Sequence, residues 1–161
     1  MGKIHQCHTT LACVMGSILT ASLSVWPSYT IAEFTSNSTT VIQSPMSSFE
    51  TSLVGSLPSL GGMLGTMCAG MIIDGFGRKN GGLFIALIYL LSWVMMDLTS
   101  STMIILIARF LSGISMGASS VHAPIPISEV ADESIRGMLS SAPMASYCIG
   151  AMLSYFIWDG P

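Results

Sequence analysis

Residues Thr51–Ile73 read TSLVGSLPSLGGMLGTMCAGMII and carry no charge between Glu50 and Asp74. A helix rising about 1.5 Å per residue covers roughly 35 Å over that length, enough to cross the ~30 Å hydrocarbon core of a bilayer. In hydrocarbon, backbone donors and acceptors must bond within the segment, so helix is expected over isolated strands. The same pattern recurs along the chain. Charges are absent between Lys3 and Glu33, Lys79 and Asp97, Arg109 and Glu129, and Arg136 and Asp159. These intervals predict an all-α membrane protein of about five transmembrane helices, at roughly 10–32, 51–73, 82–98, 103–127 and 138–158. Residues 1–9 are expected as a cytosolic tail, and 10–161 as the helical bundle.

Composition agrees. Of 161 residues, 51% are apolar and 8% charged, against about 25% charged in an ordinary globular chain. Mean hydropathy is +0.71. So few charges cover the surface of a soluble domain poorly. A disordered tail needs a polar, charged composition, and a nucleic-acid binder needs clustered Lys and Arg. Five basic residues against eight acidic ones, net −3 with no basic patch, exclude both.

The boundaries carry their own chemistry. Ser47-Ser48-Phe49-Glu50 reads as a capping box, in which Ser47 and Glu50 satisfy free backbone N–H groups at the start of the second span. Asp74 through Gly82 reads as a tight polar turn, and Asp97 to Thr102 as a very short one. Short turns predict that consecutive spans are antiparallel neighbours. Alternating loops put Lys3, Arg78, Lys79 and Arg136 on one side, while residues 33–50 and 97–102 have no Lys or Arg. The amino terminus is therefore expected to be cytosolic and the carboxyl end extracytosolic. Asn37-Ser38-Thr39 is a glycosylation sequon in a loop assigned to the outside, so Asn37 is expected to carry glycan in a eukaryotic host.

Other signals are weaker. The first apolar stretch is too long for a signal peptide and ends without a small-x-small cleavage site. Met1-Gly2 suggests myristoylation, but Gln6 stands where Ser or Thr is needed. Cys7, Cys13, Cys68 and Cys148 show no paired spacing and read as small packing residues. His5, Cys7 and His8 lack a fourth ligand, so no metal site and no cofactor is expected. Gly61, Gly65 and Ala69, and likewise Gly113 and Gly117, recur every four residues. That spacing lets helix backbones approach closely. It points to generic packing within the bundle, with helix–helix association between subunits, a homodimer seam, as the sharper alternative. Arg109 is a charge inside the fourth span. It either faces the bundle interior and marks a functional path, or snorkels from the outer end of the span to the surface.

Two cytosolic motifs then stand out. Gly70-x-x-x-Asp74-Gly75-Phe76-Gly77-Arg78-Lys79 joins the second and third predicted spans. Pro124-Ile125-Pro126-Ile127-Ser128-Glu129, followed by Arg136-Gly137, follows the fourth. The chain resembles the sugar porter branch of the major facilitator superfamily, and within it the insect facilitated sugar and trehalose transporters. That family reads G-x-x-x-D-[RK]-x-G-R-[RK] in the first loop; this chain departs at Gly75. After the fourth span the family reads P-x-Y-x-[SG]-E, then R-G; here Pro126 replaces the usual Tyr, and two close prolines should kink or unwind the helix end.

The resemblance implies roles. Asp74, Arg78, Lys79, Glu129 and Arg136 would form a cytosolic charge network that holds the inner gate shut, with Gly70, Gly77 and Gly137 as motif glycines. Arginine forks pair well with carboxylates and helix ends; the plainer alternative is that these charges only fix topology. Proton-coupled members place an arginine like Arg109 opposite an acidic residue in the first span. No carboxylate occurs from Ile4 to Ala32, which favours facilitated diffusion. The family's sugar-binding glutamine would fall at Met144, which leaves Ser24, Ser28 and Tyr147 as polar cavity candidates. A hexose or disaccharide is the implied substrate, the lipid bilayer the implied surroundings, and the plasma membrane the expected location; nucleic acid is not an expected partner.

The family's amino-terminal half has six spans built as inverted repeats, so five spans are expected to be an incomplete half that does not transport alone. The competing functions are a sugar uniporter segment and a short membrane protein that packs on or regulates a full-length carrier. A four-span scaffold fits the paired motifs less well. An enzyme is not expected, because no nucleophile–base or metal set converges in any loop.

Overall fold

The computed structural model describes residues 3–36, 42, 45–125, 127 and 135–158. It contains α1 (Lys3–Thr35), α2 (Ser48–Asp97), α3 (Thr102–His122) and α4 (Arg136–Trp158). Helix α1 begins well before residue 10, so residues 3–9 continue the first helix. Among the described residues, three helices are long and apolar enough to cross a membrane: Thr9–Thr35, Ser48–Asp97 and Thr102–His122. The five expected spans are thus not reproduced one by one. Helix α4 is helical over the fifth, but four serines, two tyrosines and Pro143 dilute its apolar content. Helix α3 stops at His122 rather than near 127, because Pro124 disfavours helical geometry in the residue before it.

The second and third expected spans lie in the single 50-residue run of α2. That run is not straight. Gly77 has φ 76° and ψ 160°, a region open essentially only to glycine. Past it the chain folds back: a Cβ on Gly81 would lie 3.5 Å from Ile73 Cα, although eight residues separate them. In a straight helix that separation spans about 12 Å. The expected loop over 74–82 is therefore compressed to one non-helical residue. We call the two parts the first arm, up to Phe76, and the second arm, from Arg78.

The start of α2 is the expected capping box. Ser47 N–H donates to Glu50 Oε2 at 2.8 Å, and Glu50 N–H donates to Ser47 Oγ at 3.3 Å. At the far end Leu98 N–H donates to Val94 O at 3.0 Å. Ser101 O then receives Ile104 and Ile105 N–H, opening α3.

The described chain divides into two compact units, Met1–Trp26 with Val121–Pro161, and Pro27–Ser120. In the second unit, burial follows a helical stripe: Val54, Gly61, Gly65, Ala69 and Ile73 on the first arm, then Gly81, Ile85, Tyr89, Ser92 and Met96 on the second. Many of the buried residues are small, while Met63, Met67, Leu83, Leu87 and Leu90 are exposed. Lipid removes the hydrophobic drive between helices, so small residues that permit close approach take the interior and large apolar ones face outward.

The tightest seam joins the first arm of α2 to α3. A Cβ on Gly117 would meet Gly62 O and lie 2.9 Å from Gly62 Cα; one on Gly113 would meet Pro58 O and lie 2.7 Å from Pro58 Cα. Arg109 bonds Val54 across the same seam, 55 residues apart in sequence. The pairs 58/113 and 62/117 keep that offset, so the two helices run parallel. The neighbours here are not consecutive spans but alternate ones, which is what two chain reversals between them produce. The first unit shows the same relation between α1 and α4. Ser154 Oγ donates to Ser22 Oγ at 3.2 Å, 132 residues apart. A Cβ on Gly150 would lie 3.0 Å from Ile18 Cα at the same offset.

Candidate functional site

Two places collect the expected functional residues in the second unit. The first is the α2 reversal. Asp74, Arg78 and Lys79 are exposed on either side of Gly77, and Phe76 stacks on Phe84 across the bend with ring centroids 5.9 Å apart. Gly70 faces open space, with nothing within 4 Å of a Cβ there. The motif glycine with a backbone reason is Gly77, whose positive φ a side chain would strain.

The second is Arg109, which is 3% exposed and therefore does not snorkel. Its Nε donates to Val54 O at 3.2 Å, and Tyr29 of α1 lies within electrostatic reach of its guanidinium. Tyr29 meets Arg109 with a phenol rather than a carboxylate. The sequence shows no carboxylate from Ile4 to Ala32 but does not point to Tyr29. A tyrosine in an apolar helix gives no signal of its partner until the helices are packed.

The remaining candidates are not gathered into one site. Glu129 and Asn37 lie outside the described residues, as does the side chain of Arg136 at the start of α4. Gly137 is exposed, with open space around it. Ser24 is half-buried and donates to Thr20 O at 2.9 Å, so its proton is used within its own helix. That habit is general here: Ser92, Ser112 and Ser115 also donate to backbone carbonyls one turn earlier. A hydroxyl in a span is satisfied this way without any ligand. Ser28 and Met144 are exposed, and Tyr147 is half-buried.

The sequence matches the family described as "Sugar (and other) transporter" over residues 12–159. This chain belongs to the sugar transporter family. It is 28% identical to the facilitated trehalose transporter Tret1 of Polypedilum vanderplanki over 96% of its own length and 31% of that protein's. It is 32% identical to sugar transporter ERD6-like 6 of Arabidopsis thaliana over 67% of its length and 22% of that protein's. The chain therefore spans less than a third of the length of these curated relatives. Its fold matches the xylose transporter XylE from E. coli in an inward-open conformation, with TM-score 0.78 and 23% identity, over 97% of this chain and 40% of that one. With its long apolar helices, membership of this family makes the chain an integral membrane protein. It is a transporter-family chain and not an enzyme.

Proposed function

We propose that this chain supplies amino-terminal helices of a facilitative sugar carrier that works by alternating access. The family match over almost the whole chain carries this reading. The trehalose transporters among its relatives point to a hexose or disaccharide as the substrate. The parallel registers of α1 with α4, and of the first arm of α2 with α3, support five alternating spans, since each pair then needs an even number of reversals between its members. On this reading α4 is the fifth span despite its modest hydropathy. The amino terminus is cytosolic and Asn37 lies outside. The chain makes up part of an amino-terminal half and does not transport alone. Asp74, Arg78, Lys79, Glu129 and Arg136 close the inner gate of the complete carrier, in the plasma membrane.

Coupling to protons is not part of the proposal. A relay through Arg109 needs a partner that titrates near neutral pH, and a phenol has an ordinary pKa near 10. The test is uptake of labelled trehalose and glucose into vesicles. This chain alone should give no uptake above empty vesicles. Joined in frame to the remaining helices of the Polypedilum vanderplanki Tret1 carrier, it should support saturable uptake that does not acidify the lumen. Uptake by the chain alone would defeat the partial-carrier reading, and sugar-driven proton entry would defeat facilitated diffusion.

A further inference from the structure

A proline inside a helix has no N–H, so the carbonyl four residues earlier loses its donor. Pro58 lies inside α2, and the carbonyl it leaves open belongs to Val54. Within a membrane span, that carbonyl has no water to turn to. Val54 is 0% exposed. The donor found there comes from another helix: Arg109 Nε, at 3.2 Å. Pro58 also lies against Gly113, one turn along α3 from Arg109, with its Cα 2.7 Å from where a Cβ would be. The Val54 carbonyl that Pro58 deprives of its helical donor, and the backbone of Pro58 itself, thus face one stripe of α3.

We propose that Pro58 and Arg109 are a matched pair, in which Arg109 is a positioning residue supplying the hydrogen bond that Pro58 denies to Val54. Each oddity accounts for the other. A proline in the middle of a span leaves a polar vacancy, and a buried arginine needs acceptors. The bond between them fixes the parallel register of α2 on α3. Glycines at 113 and 117 bring the backbones close enough for a guanidinium on α3 to reach a main-chain carbonyl on α2. Arginine suits the place because its planar fork leaves further N–H groups for other partners while Nε serves Val54. The assignment concerns how two helices are held and is independent of what the carrier transports.

The test is a double-mutant cycle on the thermal unfolding of the purified chain in detergent micelles, using Pro58→Ala, Arg109→Met and their combination. Arg109→Met should lower the unfolding midpoint. With Pro58→Ala present, residue 58 again offers Val54 an N–H, and the same change should lower the midpoint by roughly half as much or less. Equal drops in the two backgrounds would overturn the pairing. A second measurement needs no folded Arg109 variant. Infrared spectra of protein with isotope-labelled valine carbonyls, taken for the wild type and for Val54→Ile, isolate the Val54 band by difference. A hydrogen-bonded position supports the proposal, and a free-carbonyl position overturns it.

Discussion

Gly113→Ala adds one methyl group at a close point of the α2–α3 seam. The new Cβ would lie 2.7 Å from Pro58 Cα and 2.8 Å from Pro58 C, where real contacts rarely fall below 3.4 Å. The opposing atoms are proline backbone and cannot rotate aside. The helices must part by at least about 0.7 Å to clear Pro58 Cα, and further to clear Pro58 O; a gap of 0.5–1 Å forfeits about a quarter to a half of each dispersion contact it opens. Parting also stretches the 3.2 Å bond from Arg109 to Val54 to at least about 3.9 Å, past useful hydrogen-bond range. Overpacking of this kind costs about 1–3 kcal/mol, and the lost bond adds about 1 kcal/mol. The better helix propensity of alanine returns about 1 kcal/mol. The net expectation is a destabilisation of about 1–3 kcal/mol. Gly55→Ala is the matched control: it lies in the same arm of α2 with nothing within 4 Å of a Cβ, and should stabilise by about 0.4–1 kcal/mol. Thermal unfolding of the two variants and the wild type in one detergent decides the matter. If Gly113→Ala melts at or above the wild type, the close seam does not exist as described.

Other perturbations follow from single observations. Gly77→Ala forces a Cβ into the φ 76°, ψ 160° geometry and should cost about 1–3 kcal/mol in the same melting assay; a neutral result would mean the α2 reversal uses another backbone path. Ser47→Ala removes the acceptor for Glu50 N–H and should cost about 1 kcal/mol, with Ser47→Asp restoring most of it; equal melting of Ala and Asp variants would show that the cap contributes nothing. Ser154→Ala breaks the hydroxyl pair with Ser22 between α4 and α1 and should cost about 0.6 kcal/mol; unchanged melting would mean the pair adds nothing beyond each serine's bond to a carbonyl of its own helix. In protein made in a eukaryotic host, endoglycosidase should shift the wild type but not Asn37→Gln, and no shift in membrane-inserted wild type would count against the proposed orientation.

Much of this protein is local and so was legible in the residues. Charge-free intervals mark helices because hydrocarbon leaves the backbone no other partner than itself. The capping box at Ser47 and Glu50 uses groups three residues apart and needs no tertiary context. The family resemblance rests on motifs that lie in two short stretches, around Asp74–Lys79 and Pro124–Gly137. Boundaries were less secure where one residue controls them. A positive φ at Gly77 turns the chain within a single position, and Pro124 ends α3 earlier than its apolar pattern suggests.

Which helix meets which was not legible. In water, hydrophobic periodicity separates core from surface, but here Leu and Met face outward as comfortably as inward, so the pattern names a helix without naming its partner. The parallel pairing of α2 with α3 and of α1 with α4 exists only once the chain has reversed and the glycines have met. The same holds for Arg109. The sequence established that a charge lay in an apolar stretch with no acid in the first span to meet it. One of its partners is the Val54 main-chain carbonyl, an acceptor that every residue carries and no side chain advertises. Only packing α3 against the helix that contains Pro58 brings that acceptor within reach.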